Sequence, residues 1–249
     1  MVRFSSHLVL SEHFLNTLQT WLSSLPIQRV LDLATGSGNF ICLLLPVLDP
    51  TVEIIGLDAN ERAGTAFAAA FHDRANVHFQ LGDVQTANFA PASFDLITIA
   101  NSLHHFEQPQ LVLTRALHWL RPGGHLLIAE MYCDAQTPTQ QTHVLLHHWW
   151  AAIDRKHGIV HQPTFTRQAL LTQIAELGLT DLCRYDECDL SNDPKDPGLL
   201  AELNKVFERY LQRAEGFPDL IAEGHALQER VQQIGFHSAT TLLMIGTKP

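Results

Sequence analysis

The chain has 249 residues, 46% of them apolar, with 16 Lys and Arg against 26 Asp and Glu and a formal net charge of −10. That length supports a full core and that apolar content excludes a disordered polymer, while the lack of any Lys/Arg cluster excludes a protein that grips nucleic-acid phosphates. The opening Met1-Val-Arg-Phe-Ser-Ser-His carries no leader pattern and no run is long enough to span a bilayer, so the chain reads as cytoplasmic, with no membrane partner.

Ser11 is placed to cap a helix that runs to about Ser24, with Phe14, Leu15, Leu18, Trp21, Leu22 and Leu25 on one face. A short buried strand follows at Val30–Leu33, then the turn Thr35-Gly36-Ser37-Gly38, then the opening of a helix at Phe40–Leu44. Strands are expected at Val52–Asp58, Val77–Asp83 and Ser93–Leu103, with helices at Glu61–Asp73 and Pro109–Leu120. Pro122–Gly124 reads as a turn into a fifth strand, His125–Met131. Strand and helix alternating in this way predict an α/β fold with a doubly wound, mostly parallel sheet and helices on both faces.

Beyond Met131 the alternation changes. Helices are expected at Thr142–Lys156, Thr166–Gly178, Pro197–Ala214 and Pro218–Ile234, with strands at Thr180–Leu190 and Ala239–Pro249, seven strands in all. Residues 29–134, 162–190 and 236–249 are assigned to the core, and 135–161 and 191–235 to a helical cap over its C-terminal edge; 1–28 form an N-terminal helical segment able to act as a lid. Cys42, Cys133, Cys183 and Cys188 lack any paired metal spacing and read as reduced, mostly buried thiols.

The glycine turn removes Cβ atoms where a ligand approaches the main chain. A dinucleotide fingerprint would want Gly or Ala at position 41, where Ile41 stands, and a Walker-type loop would want a Lys followed by Ser or Thr. Asp32, Asp58 and Asp83 close the first three strands, and Asp58 lies 20 residues beyond Gly38, the interval at which a carboxylate reaches a ribose diol. Three carboxylates repel a pyrophosphate; they suit an adenosine ligand with an amino group and a positive centre. Asp32 is open to two readings, an anchor for turn amides or a partner for that ammonium.

The series "VLDLATGSGNF", "GLDAN", "LGDV", "FDLITIANSLHHF" and "LRPGGHLLIAE", between Val30 and Glu130, resembles the class I S-adenosylmethionine-dependent methyltransferases, with the motifs in family order. The resemblance implies a Rossmann-like fold that binds S-adenosylmethionine and releases S-adenosylhomocysteine. It implies that Ala34, Thr35, Gly36 and Gly38 line the methionine moiety, with Asp32 near by. Asp58 and the adjoining Ala59 would hold the ribose, Asp83 and Val84 the adenine, and Asn101 and Ser102 the methionine end, while Arg3 and Phe4 fold over the cofactor. Ala34 departs from the family's first glycine, and slightly tighter contact is expected there. The implied partner is a small-molecule acceptor, with further copies of the chain left open. The rival readings are an NAD-dependent oxidoreductase and a non-catalytic interaction module.

His104 and His105 are the candidates for a general base, and the family resemblance of "LHHF" implies that at least one of the two rings is structural. His143 and His147 stand one helical turn apart, near His148, His157 and His161. Without a carboxylate or Cys to complete a ligand set they read as cap-facing or solvated, so no metal site is expected. Trp149 and Trp150 read as core residues of the cap.

Overall fold

A computed structural model describes residues 12–249, so Ser11, Arg3 and Phe4 lie outside the described residues. The strands are β1 (Arg29–Leu33), β2 (Glu53–Asp58), β3 (Val77–Leu81), β4 (Phe94–Ala100), β5 (Leu120–Met131), β6 (Thr180–Glu187) and β7 (Thr241–Thr247). The helices are α1 (Glu12–Leu22), α2 (Asn39–Leu44), α3 (Glu61–Ala70), α4 (Pro109–Trp119), α5 (Pro138–Lys156), α6 (Arg167–Ala175), α7 (Pro197–Arg213) and α8 (Pro218–Ile234).

All seven strands form one sheet in the order β3-β2-β1-β4-β5-β7-β6. Pairing is parallel from β3 through β5, while β7 runs antiparallel to both β5 and β6. The central strands are apolar on both sides because both sides are covered. Leu31, Leu33, Ile97, Ile99 and Ile128 pack with Val112, Leu113 and Trp119 of α4 and with Leu170 and Ile174 of α6. Val30, Ile54, Leu96 and Leu127 pack with Leu18 and Leu22 of α1, with Phe40, Ile41 and Leu44 of α2, and with Phe67 of α3. Ile41 is fully buried at the position where a dinucleotide fingerprint wants Gly or Ala.

Helices α5, α7 and α8 build a separate core from Leu146, Trp149, Trp150, Phe207, Tyr210, Leu227 and Val231. Trp149 is fully buried and its Nε1 donates to the Leu220 carbonyl at 2.7 Å. Both tryptophans are therefore packing residues of this second core. Helix α8 comes close because Gly224 faces Trp149, where a Cβ would stand 2.4 Å from the indole.

Three local expectations need correction. Helix α5 starts at Pro138, a full turn before Thr142, because Thr137 and Gln140 form a capping box that satisfies the first free amides. Pro122–Gly124 is not a turn between elements but part of β5: Leu120 pairs with Phe94, the register shifts, and regular pairing resumes at Leu96 and His125. The thiols are also less covered than expected, since Cys42, Cys183 and Cys188 are exposed and Cys133 is half-buried; all four are free.

Candidate functional site

The strand order reverses between β1 and β4, and the crevice beyond the C-terminal ends of these strands is where this architecture binds ligands. From β1 the chain enters the turn with Ala34 at φ 54°, Gly36 at 56° and Gly38 at 82°. Gly38 is obligatory on two counts: it is left-handed, and a Cβ there would lie 2.2 Å from the Phe71 ring. Ala34 pays for its methyl group in backbone strain, which explains why glycine suits the position better than contact size alone suggests. Ala34→Gly is expected to stabilise the fold by about 1 kcal/mol or less, the relief of strain being partly offset by the freer unfolded chain. Urea denaturation checks the sign.

Asp58 ends β2 and is buried against this turn. Its Oδ2 accepts from the Gly36 amide at 2.7 Å and its Oδ1 from the Asn60 amide at 2.8 Å. A carboxylate has further lone pairs beyond these two, so a diol can still be accepted. The exposed Ala59 follows at the rim. Thr35 is buried, with its amide bonded to the Leu57 carbonyl at 3.0 Å, so the turn and the end of β2 form one unit.

Asp32 is 1% exposed and accepts from the Thr98 hydroxyl at 2.6 Å across the β1–β4 pair. Burial pushes its carboxyl up from 3.8 to about 6; the hydroxyls of Thr35 and Thr98 oppose that rise and the charge of Asp58 adds to it. A buried carboxyl whose charge is disfavoured in the free protein gains by facing a cationic group. Asp83 is exposed and accepts from the Gln85 amide at 2.8 Å, beside the buried Val84.

Asn101 leaves β4 at φ 46°, a left-handed conformation that Asn tolerates better than most residues. Its amide donates to the Ala129 carbonyl at 2.7 Å and its Oδ1 accepts from the Met131 amide at 3.1 Å, tying the end of β4 to β5. The buried Ser102 amide donates to Glu130 Oε2 at 3.0 Å, as does the Leu103 amide.

His104 and His105 occupy a 3-10 turn, Leu103–His105, directly after these residues. His104 is 1% exposed, its Nδ1 is bonded to Glu130 Oε1, and its Nε2 is buried with no partner among the described residues. Burial, with the neighbouring His104 and His161, lowers the His105 pKa to about 2, although a hydrogen bond to the Val160 backbone works the other way. His147 and His161 complete a ring cluster: centroids lie 4.6 Å apart for His104 and His147, 4.2 Å for His105 and His161, and 4.7 Å for His147 and His161. Of the two readings of these side chains, cap-facing or solvated, His147 and His161 follow the first, being buried, and the carboxylates that the sequence reading did not find are Glu130, from β5, and Asp154, within the histidine stretch itself. His143 is separate, its Nδ1 accepting from the Ala239 amide at 2.9 Å.

The described residues thus bring Asp32, the glycine turn, Asp58 and Asn101 to adjoining strand ends, with a histidine cluster next to them. Residues 26–176 match a family model described as a methyltransferase domain. A demethylmenaquinone methyltransferase of Bacteroides fragilis is 31% identical over 124 residues, which is 49% of this chain and 50% of that protein; the chain spans about half the length of the curated relatives it matches first. The fold is shared with the [4+2]-cyclase SpnF, with a TM-score of 0.64 at 17% identity over 95% of this chain and 80% of that one. It is shared too with a Haemonchus contortus phosphoethanolamine N-methyltransferase solved with S-adenosylhomocysteine, with a TM-score of 0.57 at 16% identity over 94% and 52%. On the family match, the motif order and the sheet that carries them, the chain belongs to the class I S-adenosylmethionine-dependent methyltransferases.

Proposed function

We propose that this chain moves the methyl group of S-adenosylmethionine to an O, N or C nucleophile of a small-molecule acceptor held between the sheet edge and the α5–α7–α8 cap. The observation that carries the reading is the buried Asp58, fixed by the Gly36 and Asn60 amides with lone pairs to spare for a ribose. A nicotinamide dinucleotide fits less well, because Asp32 and Asp58 face the turn where a pyrophosphate would sit and Ile41 fills the packing position. Relatives are named for C-methylation in quinone biosynthesis and for N-methylation of phosphoethanolamine, which supports a small acceptor and leaves the acceptor atom open.

When bound, the sulfonium supplies an activated methyl group. What the chain contributes is placement: the turn and Asp32 hold the amino-acid end, Asp58 and Ala59 the ribose, Asp83 and Val84 the adenine, and Asn101 and Ser102 the end nearest the acceptor. Arg3 and Phe4 are proposed to cover the cofactor. Holding a nucleophile in line with the methyl carbon converts a bimolecular step into an effectively unimolecular one. Where the acceptor carries a proton to be lost, His104 or His105 is the candidate base.

Calorimetric titration with S-adenosylmethionine, S-adenosylhomocysteine and NAD tests the reading. Micromolar binding of the first two and none of NAD is expected, followed by methylated product with the right acceptor. Binding of NAD alone would move the oxidoreductase reading to the front, and binding of none of the three by folded protein would favour the interaction module.

A further inference from the structure

The histidines beyond β4 present a chemical problem. His104 faces the Glu130 carboxylate through Nδ1, and His161 faces Asp154 Oδ2 through Nδ1 at 2.7 Å. A carboxylate only accepts, so both rings carry their proton on Nδ1 and turn a lone pair outward from Nε2. One ring nitrogen from each of His104, His105 and His161 lies within 4.8 Å of the other two. The Nε2 of His147 lies 3.3 Å from that of His161 and donates to its lone pair, a proton that His147 would give up or move to Nδ1 on binding a metal. Ring nitrogens able to act as donors to a cation therefore gather in a buried space, and among the described residues His104 Nε2 has nothing to accept from.

We infer that His104, His105, His147 and His161 form a binding site for a divalent first-row transition metal, zinc being the first candidate. Imidazole donors suit zinc and its neighbours rather than magnesium or calcium. Zinc bound tetrahedrally by nitrogen at 2.0–2.1 Å brings its ligand atoms about 3.4 Å apart, which is the His147–His161 separation. The wider spacing of the other rings calls for movements of about 1 Å on binding. Behind the rings stand Glu130 and Asp154, the carboxylate–histidine arrangement that orients metal ligands and offsets the charge of the ion. Glu130 is itself fixed by the Ser102 and Leu103 amides, and Asp154 by Arg213 Nη1 at 2.6 Å.

The ligands come from two parts of the molecule. His104 and His105 follow β4 of the core, His147 belongs to α5 of the cap, and His161 lies in the segment after α5. The metal would clip α5 and the segment after it to the sheet beside the acceptor space, and with it bound His104 and His105 would serve as ligands and not as bases. A direct backbone bond already ties the segment after α5 to this turn, from the Gln162 amide to the His104 carbonyl at 2.7 Å.

The test uses the full chain, stripped with chelator and titrated with zinc by calorimetry and with cobalt by visible absorption. One equivalent of zinc, an intense tetrahedral cobalt band and a raised melting temperature are expected. His161→Gln should abolish the band. Asp154→Asn, which keeps all four rings, should weaken zinc 10- to 100-fold. His72→Gln, at an exposed site on another face, should change nothing. Absence of stoichiometric uptake by well-folded wild type, or uptake undiminished in both cluster variants with native circular dichroism, would overturn the site. Binding of S-adenosylmethionine is measured on the same samples, so failure of the metal site and failure of the cofactor assignment are read separately.

Discussion

Asp58→Ala is expected to weaken S-adenosylmethionine binding at least tenfold and to lower stability at the same time. Two effects share one carboxylate. The ribose hydroxyls lose an acceptor that takes both, and the Gly36 and Asn60 amides, at 2.7 and 2.8 Å from the carboxylate, lose their partners. An amide left unsatisfied where water is scarce costs about 1–3 kcal/mol. Asp58→Asn separates the effects: its single carbonyl oxygen keeps one of the two amides, so more of the stability should return than of the affinity. Calorimetry with S-adenosylhomocysteine alongside urea denaturation gives both numbers on one preparation. Unchanged affinity in a folded Asp58→Ala protein would remove the ribose role.

Asp32→Asn is expected to do the opposite to stability. The folded state raises this carboxyl from 3.8 to about 6, so it favours the protonated form and disfavours the charge. The unfolded chain is the first to lose the proton as pH rises, and stability therefore falls between about pH 4 and pH 6 and stays reduced above. The shift corresponds to about 3 kcal/mol at neutral pH. The neutral variant escapes this cost while still accepting from the Thr98 hydroxyl. It should thus be more stable than wild type by roughly 2–3 kcal/mol at pH 7.5, with the difference disappearing near pH 4. The same variant should bind S-adenosylmethionine more weakly, because the charge that burdens the free protein is the one a ligand ammonium would neutralise. Equal denaturation midpoints at both pH values would show that the burial cost is absent.

The sheet was legible because its central strands are continuous apolar runs with punctuation at each end, and "RVLDLATGSG" carries both. Ile41 likewise spoke correctly against a dinucleotide loop, since one position decides whether that helix can approach the strand closely. The start of α5 could have been read from Thr137-Pro-Thr-Gln140, a capping box that composition disguised as loop. The histidine cluster could not be read. His104 and His161 meet only through the docking of the cap, and their orienting carboxylates, Glu130 and Asp154, come from a strand and from a helix. Periodicity reports which face a residue occupies, whereas a ligand set depends on which faces meet. The left-handed Ala34 was hidden for a related reason, as nothing in an Ala codes for positive φ, and for Asn101 the residue type permits that conformation without demanding it.

The position of β7 has a consequence for how the molecule is made on the ribosome. This strand is late in the chain yet lies inside the sheet, with β5 on one side and β6 on the other. During synthesis β6 is complete long before it has a neighbour to bond, because its pairing from Thr180 to Glu187 is entirely with Thr241–Thr247. Both α7 and α8 are made in that interval. The nascent chain therefore holds an open edge on β5 and an unattached β6 until β7 emerges, a state prone to mispairing. Joining β6 to β7 requires contacts between residues 54 to 67 apart, from Glu187–Thr241 to Thr180–Thr247, which makes the insertion of β7 a slow step.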